Sequence, residues 1–171
     1  MSETVATSDD EQLLDAEEWP EHRDGELLLD GPQDLLLWRQ VHPNHVTSDG
    51  IIGDQAFSEL VDLAAMRGTP EARDEVSMSR ADEVDAEEAY QDWVARGRIS
   101  HGSFGVTVGE VTATGCRTID DSARLDPDED VPGHVYVDMR KYPEKPKETK
   151  RRIRSTLAAY ATHRRRQFPL P

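Results

Sequence analysis

The first apolar run that could enter a core is Leu35-Leu36-Leu37-Trp38, continued by Arg39-Gln40-Val41. It lies between Gly31-Pro32 and His42-Pro43. A run this short, bounded by turn residues, predicts a buried strand, and Pro43 biases His42 towards extended backbone so that the strand ends there. Ser48-Asp49-Gly50 predicts a turn. The pattern then changes to a helical period from Asp54, with Ala56, Phe57, Leu60, Val61 and Ala64 on one face and Arg67-Gly68-Thr69-Pro70 as a stop. Glu75–Ser79 alternates and predicts a short half-buried strand. Asp85–Arg96 predicts a helix with Ala86, Ala89, Tyr90, Trp93 and Val94 on its buried face, acids in its first turn and Arg96-Gly97 as its end. Phe104–Val108 predicts a strand, Gly109–Val111 the start of a short helical turn ended by Gly115, and Cys116–Ile119 a further strand. His134–Met139 alternates fully, with Val135, Val137 and Met139 on one face and His134, Tyr136 and Asp138 on the other. Lys147–Arg166 predicts a basic helix with Ile153, Leu157 and Tyr160 sharing a face beside Ala161.

These elements alternate irregularly and the strands are short. They predict an α+β domain with a small mixed or mostly antiparallel sheet, two to four helices and a C-terminal basic helix, spanning residues 33–163. Residues 1–32 are expected to be an acidic arm and 167–171 a tail. Within the arm, a short helix over 9–18 and a small strand at Leu27–Leu29 are expected.

Charge sharpens this picture. The formal net charge of the 171 residues is −15, yet residues 1–34 carry −11 and residues 140–166 carry +9. Such segregation predicts either that the arm solubilises the chain, or that it docks on a partner or on the basic C-terminus. Only four lysines stand beside sixteen arginines, a balance that fits a salt-tolerant or high-GC source. No apolar stretch is long enough to span a membrane. The N-terminus has no apolar signal segment, and the single Cys116 makes no internal disulfide; together these predict a cytoplasmic protein.

Candidate chemistry is sparse. His42 and His45 stand three apart beside a strand end, where they could bind a metal or carry protons, although a bare HxxH off a helix is more often a capping and a solvated histidine. Arg39 needs an anionic partner if it points inward, and the outward orientation is the expected one. His134 precedes one strand as His42 follows another, so the two converge if those strands are neighbours. Ser100–Gly105 is glycine-rich but leads into a strand, which excludes a phosphate loop backed by a helix. Asp120–Asp130 lacks the glycine and glutamate frame of a calcium loop. No metal or cofactor is expected.

One ordered set of motifs resembles a group of small bacterial proteins of no assigned activity. The set is Trp38–Pro43 (WRQVHP), Gln55–Phe57, Val76–Ser79, Gly105–Glu110, Asp126-Pro127, and Pro132, His134 and Val137. The resemblance covers about residues 35–140 and departs at Gly53-Asp54, where the group carries Ser or Thr. It implies a fold unit and no function.

Three functions follow as expectations. The preferred one is a non-catalytic accessory module binding a protein with an acidic surface, through the arm and through Arg151, Arg152, Arg154, Arg164, Arg165 and Arg166. The second is a small transferase or hydrolase acting on a nucleotide-like substrate with Arg39, His42 and His134. The third is nucleic-acid binding through the same arginines, which the acidic body opposes.

Overall fold

A computed structural model of the chain describes residues 19–58, 74–124, 132–141 and 147–170. The expected helix over 9–18, the continuation of the Asp54 helix through Leu60, Val61 and Ala64 with its stop at 67–70, Asp126-Pro127, and the acidic connector beyond residue 124 lie outside the described residues. Among the described residues six strands form one antiparallel sheet in the order β1-β5-β6-β3-β2-β4: β1 Leu27–Leu28, β2 Leu36–Val41, β3 Glu75–Arg80, β4 Gly102–Thr107, β5 Arg117–Asp120 and β6 His134–Asp138. Among the described residues three α-helices accompany it: α1 Ala86–Ala95, α2 Val108–Ala113 and α3 Lys147–Arg164. The expected α+β class with a mostly antiparallel sheet is what the chain adopts.

Directly opposed residues of antiparallel strands share a face. Leu37, Val41, Val76, Met78, Phe104, Val106, Val135 and Val137 therefore line one face, and onto it α3 packs Ile153, Leu157, Ala158 and Ala161. This is the main core, closed by Ala56 and Phe57 from a 3-10 turn at Asp54–Phe57. The other face divides in two. Over β2 and β4, α1 covers Trp38, whose indole Nε1 donates to the Val84 carbonyl at 3.0 Å. Over β3, β6 and β5, the face is polar and residues 19–26 lie across it.

Local chemistry places the helix starts. Asp85 and Glu88 form a reciprocal capping box at α1, and Thr107 and Glu110 form another at α2. The second box starts the helix at Val108, which the apolar pattern had assigned to the preceding strand. Strand β4 in turn begins earlier than expected, at Gly102, because Gly102 and Ser103 complete the pairing with Val41 and Gln40. On α1, Val94 turns out 42% exposed rather than buried. The basic helix ends at Arg164, and Arg165 takes a left-handed conformation with φ 68°.

Described residues of both the expected arm and the expected tail pair with the sheet edges. Leu27 and Leu28 pair with Asp120 and Ile119, so residues of the expected arm form the edge strand β1. At the other edge, Ser103 N–H donates to Phe168 O at 2.7 Å and Gln167 N–H donates to Ser103 O at 2.8 Å. Arg164 Nη1 donates to Gly105 O at 2.8 Å. Residues expected as tail thus blunt an edge that would otherwise pair with another chain.

Gly105 lies opposite Trp38, and a Cβ there would come within 2.9 Å of the indole ring. The ring is pinned by its bond to Val84 and cannot retreat freely. Gly105→Ala is expected to cost about 1–3 kcal/mol as overpacking. Urea unfolding monitored by tryptophan fluorescence measures it, and a change below about 0.5 kcal/mol would contradict the close approach.

Candidate functional site

The sequence-level site residues are not brought together. Trp38 opposes Ser79, which opposes His134, so His134 shares a face with Trp38; Arg39, one residue on, points to the other face. His42 follows the far end of β2. Counting residues along the strands and two strand spacings across, its backbone lies roughly 17 Å from that of His134.

Each of these residues also has a structural engagement. Arg39 points inward, contrary to expectation. Its Nε, Nη1 and Nη2 donate to the carbonyls of Ala56, Ser77 and Ser58 at 2.7, 2.8 and 2.9 Å. The guanidinium thereby ties the Asp54–Phe57 turn to β3, a task its rigid fork of donors suits. His42 Nδ1 accepts from the Asn44 N–H at 3.1 Å and caps the 3-10 turn Pro43–His45. The His45 ring lies 5.7 Å from that of His42. Burial, then the neighbouring His42 and Arg39, lower its pKa. His134 is buried and its Nδ1 donates to Asp121 Oδ1 at 2.5 Å. Among the described residues no cluster of three or more His, Cys, Asp or Glu could hold a metal. Cys116 is buried, and burial pushes its thiol up to about 12, a value that leaves no thiolate near neutrality.

The six arginines of the C-terminal segment also divide. Arg164 forms a bidentate pair with Glu110, Nη1 to Oε2 at 2.9 Å and Nη2 to Oε1 at 2.8 Å. Arg166 turns onto His101, with Nη1 3.2 Å from Nε2. Arg154 is half-buried. Arg151, Arg152 and Arg165 are exposed, and Arg151 meets Glu148 only at 4.0 Å.

The densest polar site lies elsewhere, under residues 19–26. Asp138 is fully buried and accepts from Arg117 Nε at 2.8 Å and from the Arg140 N–H and Nε at 2.9 and 3.0 Å. Arg140 Nη2 donates to the Tyr136 hydroxyl at 2.9 Å, and that hydroxyl donates to Glu26 Oε1 at 2.8 Å. Glu26 also takes Arg124 Nη1 at 3.0 Å, while Arg23 pairs with Glu75. Burial on its own would raise the Asp138 pKa, and the bonds from Arg140 and Arg117 outweigh it, holding the carboxyl below its ordinary value. At Glu26 burial is likewise outweighed, there by the Arg23 N–H and the Tyr136 hydroxyl. Burial and the bond to Glu26 raise Tyr136 far above the ordinary phenol value, so it stays a neutral donor.

No family model matches the chain, and neither a curated protein nor a solved structure does.

The network therefore has to be read on its own chemistry. It holds alternating acids and guanidinium groups paired with one another through the Tyr136 hydroxyl, with Arg117 also reaching Pro20, His22 and Trp19, an arrangement that organises the fold. The sequence carried one trace of it: His134, Tyr136 and Asp138 form a polar face of a strand that is buried throughout. Its partners Glu26, Arg117 and Arg124 come from distant segments. A separate cleft of about 480 Å³ lies between the first turn of α1 and the C-terminal residues, lined by Asp85, Ala86, Glu87, Gln167, Phe168 and Leu170. It holds carboxylates on one wall and apolar side chains on the other. No helix among the described residues is long and apolar enough to cross a membrane.

Proposed function

We propose that the chain is a non-catalytic protein-binding module whose outward basic surface on α3 takes an acidic protein partner. One observation carries this reading. The residues considered for catalysis, Arg39, His42 and His134, are each engaged within the fold and His134 lies apart from the other two, whereas Arg151 and Arg152 remain exposed on a helix whose other face is core. Arg165 extends the basic surface about 20 Å along the helix direction. Arg164 and Arg166, by their bonds to Glu110 and His101, serve the fold first. The body's net negative charge favours a protein with a confined acidic patch over duplex nucleic acid, whose continuous phosphate charge it would repel.

The test is a pull-down of the tagged full chain from its native cells, with and without nuclease, beside the double variant Arg151→Glu/Arg152→Glu. The wild-type chain is expected to retain a nuclease-resistant protein partner, and the variant to lose at least tenfold of it. Exposed charges cost little stability, so the variant should unfold within about 0.5 kcal/mol of wild type. Equal capture by both, or capture abolished by nuclease, would refute the reading.

A further inference from the structure

We infer that the polar face of β3, β6 and β5 is a recognition site for an acidic, aromatic-bearing peptide, and that residues 19–26 occupy it in cis. The segment is held by side-chain contacts of the kind that recognise a peptide. The Trp19 ring takes the Arg117 guanidinium at 4.5 Å and the Lys141 ammonium at 5.5 Å. Arg117 Nη2 donates to the Pro20 carbonyl at 2.9 Å, and its Nη1 lies 3.3 Å from His22 Nε2. Seven residues beyond Trp19, the Glu26 carboxylate is buried against the Tyr136 hydroxyl and Arg124. An aromatic anchor at one end and a seated carboxylate at the other are the two contacts an incoming peptide would have to supply.

Charge complementarity identifies the occupant. Beneath and beside the segment, Arg117, Arg124, Arg140 and Lys141 stand with Glu75, Asp138 and the His134-bonded Asp121, so cations outnumber acids on this face in a chain that is acidic overall. The segment Trp19–Glu26 carries Glu21, Asp24 and Glu26 against Arg23, two more acids than bases, and residues 1–18 add seven acids and no base. The face is thus electrostatically incomplete without an acidic strand of sequence. Residues 19–26 dock on this surface, made by Arg117 and Arg124 with Arg140 and Lys141 from the start of the basic stretch, rather than on the basic helix α3. A partner presenting an aromatic side chain followed by carboxylates would compete for it. The site is distinct from the α3 surface and stands or falls separately.

The experiment uses the full chain and a labelled synthetic peptide of residues 13–28. Trp19→Ala in the chain weakens the cis occupant while leaving the receiving face intact. The Trp19→Ala chain is expected to bind the peptide saturably and at least tenfold more tightly than the wild-type chain, by fluorescence anisotropy. Adding Arg117→Ala to it, or Ala for Trp in the peptide, should each reduce that affinity at least tenfold, whereas Arg151→Glu/Arg152→Glu should not change it. Circular dichroism and thermal unfolding establish that each variant is folded. Should Trp19→Ala fail to fold, the peptide is titrated into the wild-type chain and read by hydrogen exchange in β6, where altered protection supports the inference and unchanged protection overturns it. Equal affinity of the wild-type and Trp19→Ala chains, or indifference to Arg117→Ala, overturns it too. So does a concentration-dependent dimer of the wild-type chain that the peptide cannot dissolve, which would assign the segment to exchange between copies.

Discussion

Asp138→Asn is expected to destabilise the fold by about 3–5 kcal/mol, the cost of breaking a buried ion pair from one side. The carboxylate is fully buried and accepts from both Arg117 and Arg140. An amide in its place turns donors towards guanidinium donors and leaves two cations short of a partner in a water-poor site. For a chain of this size the melting temperature should fall by roughly 10 °C or more. The same carboxylate sets part of the acid response. Its folded pKa lies below the ordinary value, as does that of Glu26. A depressed carboxyl contributes stability that is fully present above the unfolded pKa of about 4 and is lost as pH falls through the lower folded value. Wild-type stability should therefore be flat near neutrality and decline below about pH 4, and Asp138→Asn should be unstable throughout with a shallower decline. Urea titrations between pH 7 and 3 decide it. A parallel decline in the two proteins would mean that Asp138 is not a principal acid-sensitive group.

Arg39→Lys should cost on the order of 3 kcal/mol, although it keeps the charge, because two charged hydrogen bonds of about 1.5–3 kcal/mol each are lost. The guanidinium reaches three carbonyls on two separate segments at once. An ammonium on a flexible stem satisfies one such direction at a time and leaves buried carbonyls unmet. The measurement is equilibrium unfolding of the variant. Stability within about 0.5 kcal/mol of wild type would remove the structural role assigned here and restore Arg39 as a candidate for ligand chemistry. The expectation matters because Arg39, flanked by apolar residues in the sequence, is the position that invited a catalytic reading.

The comparison of Arg39 with Asp138 shows where linear reading loses sight of the molecule. Arg39 was visible as an oddity, but where an anionic partner was expected for an inward orientation, its guanidinium meets the backbone carbonyls of Ala56, Ser58 and Ser77. Which way it pointed depended on the register of β2 against β3 and β4, which a run of apolar residues on both sides does not specify. Asp138 was visible only as one member of a polar strand face. Its partners come from β5 and from the residue two places on, and the carboxylate that completes the network, Glu26, is 112 positions away in a segment whose composition reads as solvated. Acidity alone could not distinguish Glu26, which is buried, from its exposed neighbours Glu21 and Asp24.

Periodicity by itself determined β2, β3, β6, α1 and α3 to within a residue or two, and with them the α+β class, because each depends on an alternation or a helical stripe carried by adjacent residues. Capping chemistry of the same local kind placed the start of α2 once Thr107 and Glu110 were paired. Tertiary structure alone decided where Leu27–Leu28 and residues 167–168 pair on the sheet, that His42 and His134 lie apart, and that Arg164 and Arg166 turn inward while Arg151 and Arg152 do not. Those outcomes rest on strand order and on contacts between distant segments. Their energies come from desolvating charges together, and a single segment does not reveal which of its charges will be left facing water.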